Sequence, residues 1–286
     1  MKNIGIVGLG LIGGSMAKAS ARAGYRVFGS DRDQSVVDAA ISDGTLAGRL
    51  EDHMEEIDLV LVALYPGDVV DIIMELGPKL PKGCMVIDCT GVKQVICRPL
   101  SGKLAQMGLR FIGGHPMAGK EVAGYKNAAG DLFDGASMIL CQDEYTDKGA
   151  LDEACDFFPG LGFSRVVITT ASEHDRVIAY TSQLAHVVSS SYIKSSTLDE
   201  RYGFSAGSFK DLTRVAKLDE NMWADLFLAN RDSLLDEIGQ IRDHLTEYYD
   251  AIESGDREAL VSLLRDGRIR KETDTKKEEE VKKGRA

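Results

Sequence analysis

The sequence predicts an α/β protein: a doubly wound parallel sheet over residues 1–170, an all-helical part over 171–267, and a charged tail over 268–286. Three observations carry this. A short apolar strand at the start runs into Gly8-Leu9-Gly10-Leu11-Ile12-Gly13 and then into a helical stretch at 15–23. Apolar strand-like runs then alternate with helical ones as far as residue 170, and such βα repeats imply a parallel sheet with helices on both faces. Beyond residue 171 no convincing strand occurs.

The glycine run has the spacing a dinucleotide phosphate needs. Gly8 permits the tight turn, Gly10 lets backbone approach a pyrophosphate, and Gly13 lets the helix sit close to the strand. The following helix start offers N–H groups and partial positive charge to the phosphates. A second strand, 25–30, ends in Asp31, close to the expected distance of about 20 residues. Its carboxylate can accept from both adenosine ribose hydroxyls and would repel a 2′-phosphate. Together these features indicate a Rossmann-type site for NAD. Arg32 could pair with a 2′-phosphate, which leaves NADP disfavoured but open. The candidate cofactor-binding residues are Gly8, Leu9, Gly10, Leu11, Ile12, Gly13, Asp31 and Arg32.

After Asp31 a helix is expected over 34–42 and a strand buried on both faces over 57–64. A helix over 68–76 closes at Gly77-Pro78, and a strand follows over 84–89. The next helix falls within 93–107, weakened in its first half by Pro99. Strands are expected over 109–113, 136–141 and 165–170, with a helix over 151–161. In the second part, 172–195 and 209–217 have helical spacing. The stretch 221–249 reads as one long helix with apolar residues at close to the 3.6 period. So long an apolar stripe needs a substantial partner surface, which makes a homodimer plausible. The tail is almost wholly charged and reads as a solvated, frayed helix or as disorder.

The net charge of −11 disfavours nucleic acid or an anionic membrane as the main partner, and no apolar run is long enough to span a bilayer. The five cysteines, an odd number without a CxxC pair, read as reduced thiols in a cytosolic protein, and no metal-ligand cluster occurs. Only five histidines compete for acid–base chemistry. His115, in Gly113-Gly114-His115-Pro116-Met117-Ala118-Gly119, follows a strand directly, where open α/β sheets form their ligand crevice. It is the candidate general base. His186 lies in the first helix of the second part. His174 reads as part of that helix's start, with Ser172 as a cap, and His53 and His244 read as structural. Lys210, Arg214 and Lys217, at i, i+4 and i+7, would share one helical face and could receive an anion, though such a face is more often merely solvated.

In combination, Gly8 to Ser15, His115-Pro116-Met117-Ala118-Gly119, Leu184-Ala185-His186, Phe209-Lys210-Asp211-Leu212-Thr213-Arg214 and Met222-Trp223 resemble the prephenate dehydrogenase family and its arogenate-using relatives. The resemblance runs from residue 1 to about 252, in order. It implies a Rossmann domain and a helical dimerisation domain. The implied reaction is oxidative decarboxylation of prephenate to 4-hydroxyphenylpyruvate with NAD, or of arogenate to tyrosine. By the same resemblance His115 accepts the ring hydroxyl's hydrogen bond and proton, Arg214 binds a substrate carboxylate, and His186 lines the substrate pocket. Two positions depart from the family pattern. The family usually has serine before Val92-Lys93, where this chain has Gly91 preceded by Thr90, so Thr90 is the candidate hydroxyl donor. A second histidine, three residues before His186, is replaced by Gln183, which joins His186, Arg214 and Lys210 as a candidate substrate-binding residue. At this length no appended mutase or regulatory domain is expected, and tyrosine feedback would be weak or confined to the active site.

Two other classes compete. A 3-hydroxyacid or imine dehydrogenase would place a lysine on the first helix of the second part; here Lys194 falls at its far end, beyond His186. A non-catalytic NAD sensor would keep the glycines and Asp31 but need neither His115 nor Arg214.

Overall fold

The computed structural model describes residues 1–120 and 122–283, with side chains described to residue 280. Eight strands form one sheet in the order β3-β2-β1-β4-β5-β6-β7-β8. The chain runs β1 (Asn3–Val7), α1 (Leu11–Arg22), β2 (Arg26–Ser30), α2 (Gln34–Ser42), β3 (Gly48–Arg49), β4 (Leu59–Val62), α3 (Pro66–Leu76), β5 (Met85–Asp88), α4 (Gln94–Gln106), β6 (Arg110–Pro116), β7 (Ser137–Cys141), α5 (Lys148–Phe157) and β8 (Arg165–Thr169). It continues through α6 (Ala171–Ile178), a π-helical stretch Ala179–Gln183, α7 (Leu184–Tyr192), α8 (Gly207–Thr213), α9 (Glu220–Ala229), α10 (Arg231–Glu253) and α11 (Arg257–Lys283).

The central strands explain the buried apolar runs. Every residue of β4 and of β5 is buried, as expected for parallel strands covered on both faces. Helix starts follow local chemistry. Asp33 caps α2 by accepting from the Ser35 amide, Asp147 caps α5, Asp219 caps α9, and Pro66 occupies the first turn of α3. Pro99 is accommodated inside α4 without ending it.

Three expectations are corrected. The sheet is not wholly parallel, because β7 pairs antiparallel with β6. Among the described residues the connection from Pro116 to Ser137 holds no α-helix, so no helical crossover returns the chain to the other end of the strands before β7 begins. The helix expected over 221–249 is two helices, separated at Asn230. Asn230 is buried, and its Nδ2 donates to the Asp175 carbonyl and to Gln183 Oε1, 2.8 Å each. Two tertiary bonds to one side chain outweigh the local helical periodicity. Finally, the basic face of Lys210, Arg214 and Lys217 does not exist as such: α8 ends at Thr213, and Arg214–Ala216 is a 3₁₀ turn.

The chain divides into two compact units, Met1–Ser233 and a second that begins at Leu234. The first therefore holds α6 to α9 together with the sheet. In the second, α10 and α11 meet at a turn with Gly255 at φ +68°, and Asp256 accepts from the Glu258 and Ala259 amides. Ion pairs such as Arg268–Glu272 and Arg270–Asp266 line the exposed face of α11. The charged tail is thus helical through Lys283 and solvated through Glu280; residues 284–286 lie outside the described residues. No helix among the described residues is long and apolar enough to cross a membrane.

Candidate active site

The sheet order reverses between β1 and β4, and the register aligns Val7 with Val62, Val62 with Asp88, and Asp88 with Gly113. The C-terminal ends of β1, β4, β5 and β6 therefore share one edge, where doubly wound sheets bind ligands. The glycine loop leaves the sheet there, and His115 lies at the same end of β6.

The loop is shaped for a dinucleotide. Gly8 sits at φ +85°, where a side chain would be strained and would also strike the Ala63 carbonyl. A Cβ on Gly13 would come within 1.8 Å of the Gly8 carbonyl oxygen, so only glycine lets α1 lie this close to β1. At Gly10, by contrast, an added Cβ meets nothing within 4 Å, so the loop backbone is open on that face. Leu9 is buried, while Leu11 and Ile12 are half-buried in the first turn of α1, which begins four residues earlier than expected. Asp31 closes the loop from β2: its Oδ2 accepts from the Leu9 amide at 2.7 Å and its Oδ1 from the Asp33 amide at 2.9 Å. Arg32 is exposed beside it.

His115 is the next-to-last residue of β6, not a residue of the loop after it, and it pairs with Ile139 of β7. It is half-buried, and its Nδ1 lies 2.9 Å from His174 Nε2. His174 Nδ1 lies 2.8 Å from Asp175 Oδ1. Asp175 also accepts from the Lys93 and Gln94 amides at 2.8 Å each, so it caps α4 from α6. Burial, then the neighbouring His174 and the Lys93 ammonium, hold the His115 imidazolium well below the ordinary histidine value. Burial also lowers His174, against the opposing pull of Asp175. Burial would raise the Asp175 carboxyl, but His174 and the Gln94 and Lys93 amides more than offset this and hold it below its usual range. At neutral pH the arrangement is two neutral imidazoles in line with one carboxylate.

Behind His115 lies a fully buried ion pair. The Lys93 ammonium contacts Asp88 Oδ1 and donates to the Gly114 carbonyl at 2.6 Å and to Thr90 Oγ1 at 3.0 Å. Thr90 is correspondingly turned inward. It is 3% exposed, and its hydroxyl donates within the cluster, with Asp88 Oδ1 at 2.7 Å and the Val92 carbonyl at 2.9 Å. The expectation that Thr90 presents a hydroxyl to substrate is therefore corrected: Asp88 and Lys93 draw it into the strand-end network. At the position where serine was expected stands Gly91, and a Cβ there would lie in van der Waals contact, 3.5 Å from Leu226 Cδ2 and 3.8 Å from His115 Nε2.

Gln183 is corrected in the same way. It is 1% exposed; its Oε1 accepts from Asn230 and its Nε2 donates to the Leu226 carbonyl at 3.2 Å. It secures the π-helical stretch to the end of α9 rather than facing a ligand. His186 remains accessible. Its Nδ1 donates to the Val215 carbonyl at 3.0 Å, and its ring packs on Trp223 with 3.6 Å between centroids. That bond anchors the turn carrying Arg214, which is exposed, as is Lys210 on α8. Helix α9 links the two clusters, with Trp223 against His186 and Leu226 beside Gly91.

With this geometry in view, comparison with known proteins is decisive. The family profile "Prephenate dehydrogenase, nucleotide-binding domain" matches residues 16–168, and "Prephenate dehydrogenase, dimerization domain" matches 170–266. The chain belongs to the prephenate dehydrogenase family. It is an oxidoreductase of that family, as the sequence motifs imply. It is 31% identical over 278 residues to cyclohexadienyl dehydrogenase of Zymomonas mobilis, covering 93% of each chain. The fold is similar to that of prephenate dehydrogenase from A. aeolicus in complex with hydroxyphenyl propionate and NAD+ (TM-score 0.83, 28% identity, 96% of this chain and 98% of that one). It is also similar to Synechocystis arogenate dehydrogenase (TM-score 0.81, 26% identity, 95% and 99%). Within the family frame, the residues that sequence reasoning missed are His174 and Asp175. Their signal was present as an adjacent His-Asp pair on the first helix after β8, but the acids around it also suit an ordinary helix start.

Proposed function

We propose that this enzyme oxidises prephenate with NAD and releases carbon dioxide, giving 4-hydroxyphenylpyruvate for tyrosine synthesis. The observation that carries this is His115: a neutral imidazole on the ligand edge of the sheet, its Nδ1 held by His174 and its Nε2 on the side of Gly91. Oxidation of an alcohol carbon requires its O–H proton to be taken, and a neutral imidazole suits that task. When bound, NAD supplies the hydride acceptor. Gly8, Leu9, Gly10, Leu11, Ile12 and Gly13 would hold its phosphates and Asp31 its adenosine ribose; a 2′-phosphate would meet the Asp31 carboxylate, which favours NAD over NADP even with Arg32 adjacent. Loss of carbon dioxide aromatises the ring and makes the reaction effectively irreversible.

Arg214 would bind a substrate carboxylate, with His186 and Trp223 forming the pocket wall. The guanidinium provides a planar two-point site for a carboxylate on a surface of net charge −11. Arg214→Ala is expected to raise KM for substrate about 10- to 100-fold while NAD affinity is preserved. Loss of NAD binding instead would remove Arg214 from the substrate site. Arogenate is the second substrate to test, because the fold is shared with an arogenate dehydrogenase. One carbon dioxide per NADH formed, measured in the same reaction, checks the decarboxylation. The functional division is proposed at 170/171, and residues 171–267 would form a homodimer through faces carrying Leu245, Tyr249 and Ile252, all exposed in the single chain.

A further inference from the structure

Asp175 Oδ2 accepts from the Gln94 amide and Oδ1 from the Lys93 amide, and Oδ1 also lies 2.8 Å from His174 Nδ1; a carboxylate oxygen can only accept, so a bare Nδ1 there would set two lone pairs against each other. The His174 proton is therefore on Nδ1. A neutral His174 then has an acceptor at Nε2, 2.9 Å from His115 Nδ1. Two bare nitrogens cannot bond, so His115 carries its own proton on Nδ1, which leaves Nε2 as a lone pair. That nitrogen points toward Gly91, where an added Cβ would sit 3.8 Å away.

We infer that Asp175 and His174 are positioning residues that set the tautomer of His115, so that Nε2 is a proton acceptor rather than a donor. Neither touches substrate: His174 is 2% exposed and Asp175 1%. When His115 Nε2 takes the proton of the substrate hydroxyl, the ring keeps its Nδ1 proton. The new positive charge is then met by His174 Nε2, whose basicity the Asp175 hydrogen bond raises. The other charged groups packed here, Lys93 and Asp88, are paired with each other and present no acceptor to His115 Nδ1. Asp175 thereby joins the start of α4, α6 and the base of β6 in one chain of hydrogen bonds. Its own carbonyl is held by Asn230, at the break between α9 and α10.

This inference rests on His115 being the base of the proposed reaction, but its first test does not. In wild-type protein labelled with ¹⁵N-histidine, the resonance of His115, assigned by its loss in His115→Asn, is expected to show a protonated Nδ1 and a bare Nε2 at neutral pH. A protonated Nε2 would overturn the assignment whatever the enzyme's substrate. The second test is kinetic. His174→Leu is expected to lower kcat about 10²-fold or more, with substrate KM and NAD affinity unchanged, because the tautomer is no longer imposed. His174→Gln, whose Oε1 can accept from His115 Nδ1, is expected to recover most of that loss. Equal loss in both variants, or wild-type kcat in His174→Leu, would contradict the positioning role. Absence of turnover in the wild type with prephenate and arogenate would instead count against the functional reading and leave the tautomer result standing.

Discussion

Replacing His115 with asparagine is expected to lower kcat by about 10²–10⁴-fold, the usual contribution of a positioned general base. Asparagine can hydrogen-bond to a hydroxyl but cannot take its proton. The glycine loop and Asp31 do not involve position 115, so NAD affinity should stay at the wild-type level. Activity close to that of the wild type would dismiss His115 as the base. The pH profile supplies an independent check. Burial, His174 and Lys93 hold the His115 imidazolium well below the ordinary histidine value of about 6.5, so the neutral, active form persists as pH falls through 6.5. The base-dependent limb of kcat/KM should therefore fall only at pH values clearly below that of an ordinary histidine. A limb centred at or above 6.5 would mean that His115 is less enclosed than the structure shows.

The second large effect is on stability. Lys93→Met leaves the Asp88 carboxylate buried, with both side chains of the pair at 0% exposure in the native chain. Removing one partner of a buried ion pair costs about 3–5 kcal/mol, because the remaining charge keeps its desolvation penalty without its compensation. Thr90 and the Gly114 amide still donate to Asp88, which places the expectation inside that range rather than above it. The measurement is the urea unfolding midpoint and slope. The double variant Asp88→Asn with Lys93→Met should regain part of the loss, since the uncompensated charge is gone. A cost below about 1 kcal/mol for Lys93→Met would show that water or another cation reaches Asp88. Lys93 also holds the Gly114 carbonyl, so reduced kcat should accompany the lost stability.

Much of this site was legible from residue order. Gly8 to Gly13 and Asp31 announce a phosphate loop because turn geometry and close approach restrict those positions to few residue types. His115 was legible because its strand ends at the ligand edge. The features that escaped notice depend on contacts distant in sequence. Ser172 looked like the helix cap, yet the cap is Thr170, which accepts from the Glu173 amide and leaves His174 to turn toward β6. Thr90 and Gln183 are polar residues at suggestive positions, but their side chains are taken by Asp88, Lys93, Asn230 and the Leu226 carbonyl. No local pattern shows that a polar group is already satisfied from elsewhere. The same holds for Asn230: hydrophobic periodicity runs through it unbroken, and only its two buried hydrogen bonds separate α9 from α10.

The most direct measurement is the initial rate of NADH formation by the purified chain with NAD and prephenate, run beside an identical reaction with arogenate. The expected result is NADH formation with prephenate at a rate at least matching that with arogenate, lowered about 10²–10⁴-fold in His115→Asn. No NADH from either compound, by protein that demonstrably binds NAD, would contradict the account.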